Sequence, residues 1–149
     1  MCLQCTSHTA LGLVIGTVLL LTVWREDDPD CHPCWYCQLL KAFHVEVHFC
    51  LGGVSSLRET LEVLWVHWLG IDPGHKWDSR QCALLKVGFM PEQGDSPAFG
   101  FLGPSLVIHG CHLIPVFTNG HTNQLLQRGP SVVRHHDKTD DWAGYYVNI

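Results

Sequence analysis

A chain of 149 residues supplies one domain's worth of core, and its 46% apolar and 15% charged composition excludes bulk disorder. The net charge of −5, with nine Lys and Arg residues scattered singly, removes any general attraction to phosphate backbones. Direct nucleic-acid binding by this piece is therefore not expected.

Eight cysteines stand at positions 2, 5, 31, 34, 37, 50, 82 and 111. Cys37, Cys50, Cys82 and Cys111 fall in apolar or strand-like stretches, where a reduced cysteine behaves as a small hydrophobe. The sequence also has no Asn-x-Ser/Thr acceptor. Both points favour a reduced, intracellular chain over a secreted disulfide framework.

Residues 1–25 read as a segment apart from the domain at 26–149. From Ala10 to Trp24 the chain is uncharged, ALGLVIGTVLLLTVW. As a helix this run reaches only about 22 Å, short of a hydrocarbon core of about 30 Å. No Lys or Arg precedes it, as a signal peptide would require. Its β-branched residues suit a buried strand as well as a helix, so a membrane anchor at 10–24 stands as an alternative.

Arg25 to Pro33 is a charged turn that marks a boundary. Phe43 to Phe49 alternates apolar and polar, predicting a half-buried strand with Phe43, Val45, Val47 and Phe49 inward, closed by Gly52 and Gly53. Leu61 to Leu69, apolar on both faces, predicts a central strand, although Ser56 with Glu59 has the form of a helix-starting capping box. Asp72-Pro73-Gly74 is a turn. Cys82 to Phe89 is a short strand, Glu92 to Pro97 a polar loop, and Ala98 to Leu102 a brief pairing segment. Pro104 to Ile108 suits one helical turn, His112 to Phe117 is extended, and Asn119-Gly120 is a tight-turn pair. Gln127 to Asp141 reads as a loop and Trp142 to Ile149 as a last strand. The expected fold is mainly β: a small rolled sheet or barrel with one or two short helices.

Few motifs point to chemistry. Cys31-His32-Pro33-Cys34 has the form of a thiol–disulfide site, yet Glu26, Asp27, Asp28 and Asp30 would raise the thiol pKa that such chemistry needs lowered. Cys2, Cys5, Cys31 and Cys34 form two C-x-x-C pairs able to hold zinc tetrahedrally, but the polar finger usual between such pairs is replaced by the apolar run. His44, Glu46 and His48 share one strand face, which a solvent-facing strand explains without a metal. Gly94-Asp95-Ser96 resembles an esterase nucleophile block, but the one Asp-x-x-His pair, Asp72 to His75, precedes the serine. There is no G-x-S-x-G, no P-loop and no dinucleotide fingerprint, so no enzyme activity and no cofactor are expected.

Four blocks carry a family resemblance: HPCWYCQLLKAFHVEVHF, LEVLWVHWLGIDPGHKWDSRQCALLKVGFMPE, AFGFLGPSLVIHGCHLIPVF and DDWAGYYVNI. In this order they resemble a region of large proteins of mushroom-forming fungi (basidiomycetes), associated with KDZ- and Plavaka-type mobile elements. The resemblance runs from about Glu26 to the end and implies a chain that continues past Ile149. It implies no activity and no catalytic residues. Cys34 and Cys37 stand where the family tends to carry an aromatic and Ala, which weighs against metal and redox roles. More distantly, Trp35 and Tyr36 followed by LWVHWLG are similar to the barrel core of chromatin-reader modules such as BAH domains. The resulting expectation is an accessory or interaction domain with protein or chromatin partners, intracellular or nuclear, using exposed aromatics such as Trp77 or Trp142.

Overall fold

The computed structural model describes residues 2–6, 18–21, 34–51, 54–75, 83–92, 97–126 and 137–148. Ten strands follow in chain order: Cys2–Thr6 (β1), Val18–Leu21 (β2), Trp35–Leu51 (β3), Val54–Ile71 (β4), Leu85–Phe89 (β5), Phe99–Leu102 (β6), Val107–Pro115 (β7), His121–Thr122 (β8), Asp141–Trp142 (β9) and Tyr145–Asn148 (β10). Two single 3-10 turns, Pro104–Leu106 and Phe117–Asn119, are the helical elements among these residues. The fold is thus mainly β, as the short alternating segments implied.

Successive antiparallel pairings run β2–β3–β4–β5–β10–β7 and return from β7 to β2, so six strands close a ring. Closure pairs each ring strand on both sides, and among the described strands β1 and β6 stand at the outer ends of the sheet. The apolar N-terminal run contributes to it directly: Val18–Leu21 lies between β3 and β7. Those four residues of the proposed anchor are strand, and among the described residues no helix is long and apolar enough to cross a membrane.

Side chains alternating inward fill the ring. Tyr36, Leu69, Leu85, Val87, Phe89, Cys111, Tyr145 and Val147 form one buried cluster. The β5 pattern, with Leu85, Val87 and Phe89 buried and Lys86 and Gly88 less so, is the period of two expected of a half-buried strand. The other face of β3 and β4 carries a second cluster, Cys37, Leu39, Leu64 and Val66, edged by Trp35, Trp68 and Leu102. Val66 and Trp68 face this cluster while His67 and Leu69 are buried on the other side, so both faces of Val66–Leu69 are covered and that stretch lacks alternation. Gly100 admits β6 at this place, because a Cβ there would stand 2.7 Å from Nε1 of Trp68.

The sequence expectation and the structure differ most at the β3–β4 hairpin. Strand β3 begins at Trp35, eight residues before the alternating segment, and β4 begins at Val54, so Ser56 and Glu59 lie in strand and not at a helix start. Cross-strand pairing from Tyr36↔Leu69 to Leu51↔Val54 outweighs the local capping pattern. Register shifts at Leu39/Lys41 and His48/Phe49 bend the hairpin. Beyond the ring the hairpin continues, with β1 along β3 and β6 along β4. One face of this extension carries Phe43, Val45 and Val47 of β3, Leu61, Val63 and Trp65 of β4, and Phe101 of β6. The opposite face carries His44, Glu46, Thr60 and Glu62.

The remaining differences are small. Strand β5 starts at Leu85 instead of Cys82, β7 reaches back to Val107, and the last strand is broken into β9 and β10 at Ala143-Gly144. Gly120 takes φ +67° directly after the 3-10 turn Phe117–Asn119, and β8 pairs with β9, so the Asn-Gly pair ends a 3-10 turn and does not join two paired strands.

Candidate functional site

The surface around Trp142 is assembled from two short segments. The 3-10 turn Phe117–Asn119 and the left-handed Gly120 reverse the chain out of β7. His121 and Thr122 then pair with Trp142 and Asp141. The Ala143 N–H donates to the Gly120 carbonyl, and the Val116 N–H to the Gly144 carbonyl, tying both segments together.

Trp142 lies half-buried against the barrel core. Phe117, 70% exposed, stands edge-to-face with it at 5.1 Å and 83°. His121 meets the same indole at 4.0 Å and 67°, and its Nδ1 lies 3.1 Å from Oδ2 of Asp140. A polar cleft of about 430 Å³ opens beside them, lined by His121, Thr122, Asn123, Gln124 and Asp140. Exposed aromatic area next to a carboxylate suits contact with apolar and basic side chains.

Asp141 anchors this surface. One carboxylate oxygen accepts from the Trp142 N–H at 2.8 Å and from the Tyr145 hydroxyl, and the other from the Gln38 amide at 3.4 Å. Burial, with the Asp141 carboxylate second, pushes the Tyr145 phenol well above its ordinary range, so it remains a proton donor to Asp141. The 3-10 turn and Asp140–Asp141 thus hang on a fixed strand corner.

Sequence reasoning named Trp142 but missed Phe117, His121 and Asp140; Asn119-Gly120 was a local signal for the first two, and Asp140 reaches them through the β8–β9 pairing. Trp77 lies outside the described residues, as do Cys31 and Gly94-Asp95-Ser96. The proposed zinc ligands are not drawn together along β3. Cys5 is opposite Val45 and Cys2 opposite His48, whereas Cys34 immediately precedes Trp35. About 36 Å of extended strand separates Cys34 from the position of Cys5. Cys34 packs against the barrel core, and burial raises its thiol pKa. His44 directs Nε2 to Glu62 Oε1 at 3.4 Å, its cross-strand neighbour, which accounts for that face without a metal. Among the described residues no group of three or more His, Cys, Asp or Glu could hold a metal ion.

Two further thiols are held protonated by their surroundings. Burial pushes Cys37 up to about 12 and Cys111 up to about 11, far from the thiolate a nucleophile needs. His67, fully buried, is stacked on Phe89 at 4.8 Å and near Phe99 at 4.4 Å. Its Nε2 donates to the Met90 carbonyl at 3.2 Å, while Nδ1 has no hydrogen-bond partner. Burial holds its pKa below the ordinary histidine value. A neutral imidazole enclosed by rings joins strands and is closed to a substrate.

Comparison with protein-family models, curated proteins and solved structures gives no match.

Proposed function

We propose that this chain is a non-enzymatic interaction domain of a mobile-element-associated fungal protein, and that it binds a basic protein segment at the Trp142 surface. The observation that carries the reading is Phe117: a phenyl ring 70% exposed, propped on Trp142 beside Asp140 and its cleft. The exposed part of this ring adds little to folding, while the same area covered by a partner is a strong contributor to binding. The neighbouring Asp140 and Asp141 and the net charge of −5 favour a basic partner. Chromatin proteins, with their basic tails, are the partner class that fits this chemistry, and they accord with a nuclear setting.

The test is fluorescence anisotropy with labelled Lys- and Arg-rich peptides and their Gln-substituted counterparts. Basic peptides should bind with Kd of about 10–100 µM, neutral ones at least about tenfold more weakly. Phe117→Ala should cost about 1–2 kcal/mol of binding, and Asp140→Asn should flatten the salt dependence. The reading fails if Phe117→Ala and Trp142→Ala bind the same peptides as the parent, or if the parent binds none.

A further inference from the structure

The apolar face of the β3–β4 extension is a second surface, independent of the Trp142 site. Leu61 is 43% and Phe101 67% exposed on it, and Phe43, Val45, Val63 and Trp65 are half-buried between them. Phe43 and Phe101 meet edge-to-face at 6.1 Å, and Trp65 lies 6.2 Å from Phe99, so the aromatic side chains form a continuous patch. Among the described residues, two exposed charged side chains share this face, one toward each end. Lys41 sits opposite Trp65 at the barrel end, and Glu59 sits opposite Val47 at the far end.

We propose that this face is the contact between two copies of this chain, related by a two-fold axis that runs across the strands. Such an axis reverses strand direction and keeps lateral order. The Glu59 end of one copy then covers the Lys41 end of its partner, one strand over and one sheet layer away. With layers about 10 Å apart and strands about 4.8 Å apart, a lysine and a glutamate span that gap. The symmetry produces the pair twice. An axis along the strands would instead bring the two lysines to the same end, so the charge pattern selects the first arrangement. With Phe101 67% and Leu61 43% exposed and the side chains between them half-buried, a pair of such faces would make a contact at the lower edge of a specific interface, about 1,000 Å² in total. A weak, reversible dimer follows, with Kd of about 10–100 µM.

Sedimentation equilibrium of the full chain from about 1 to 500 µM tests this, since the range brackets the expected Kd. The parent should follow a monomer–dimer isotherm. Leu61→Ser with Phe101→Ser should weaken association at least about tenfold, and Phe117→Ser should leave it unchanged. Lys41→Glu and Glu59→Lys should each weaken it severalfold, and the two together should restore it to within about threefold. These charge variants, at exposed positions, keep the test decisive if the apolar pair unfolds the chain. A parent that stays monomeric throughout overturns the proposal. So does association that survives the apolar pair, depends on Phe117, or is not restored by the charge swap.

Discussion

Gly100→Ala isolates the contact that lets β6 lie on the second core cluster. The added methyl would sit 2.7 Å from Nε1, 3.1 Å from Cε2 and 3.2 Å from Cζ2 of Trp68. Relief to ordinary contact requires a shift of about 0.7 Å, and Trp68 cannot swing freely because it stands edge-to-face with Trp35 at 5.6 Å. Overpacking of this kind costs about 1–3 kcal/mol, and two core-side ring atoms besides the nitrogen are affected, so we expect about 2 kcal/mol. For a chain of this size that corresponds to a fall in Tm of about 4–8 °C. Urea unfolding should show a lower midpoint at unchanged slope. Trp68→Phe removes the crowded atoms, so the double variant should be more stable than the two single changes added together, by about 1 kcal/mol. Gly100→Ala within about 0.5 kcal/mol of the parent, or strict additivity with Trp68→Phe, would refute the steric argument.

Two other predictions concern backbone and charge. Gly120 has φ +67° and ψ −164°, with nothing within 4 Å of a Cβ, so its constraint is purely conformational. Gly120→Ala should cost about 1–3 kcal/mol in urea unfolding, and a neutral result would refute the constraint. His67 has a folded pKa below its unfolded value near 6.5. Between those two values the unfolded chain binds a proton that the folded chain does not, so stability falls as pH drops below about 6.5 and levels off under the folded pKa. One such group can contribute a slope of at most about 1.4 kcal/mol per pH unit. The parent should therefore lose stability between pH 7 and pH 5 more steeply than His67→Phe, and identical slopes would refute the assignment.

The strands were legible in the sequence where one face is wet. Phe43 to Phe49 alternates because His44 and Glu46 face away from Phe43 and Val45, and pairing follows that pattern. Trp35 to Leu40 does not alternate, since both its faces are covered, so the first six residues of β3 were hidden as an apolar run. The role of Val18–Leu21 was unreadable for a different reason: its partners, β3 and β7, lie far along the chain. Local composition marks such a run as buried without saying against what. The Trp142 site was legible only in its indole. Phe117 and His121 reach it through a turn whose sequence signal, Asn119-Gly120, specifies a reversal of the chain but not the neighbours it creates.

Ring closure by β2 also sets an order of events in folding. The β3–β4 hairpin needs only the short connection between Leu51 and Val54 and can zip from that end. The ring cannot close until Val18 meets Cys111 and Leu21 meets Val107, across most of the chain's length. Loop entropy is spent before those contacts stabilise anything, which makes closure the slow step. Until it occurs, β3 and β7 each present an apolar strand edge to solvent. The newly made chain is therefore most vulnerable to intermolecular strand pairing after its hairpin has formed and before its first apolar segment has found its place.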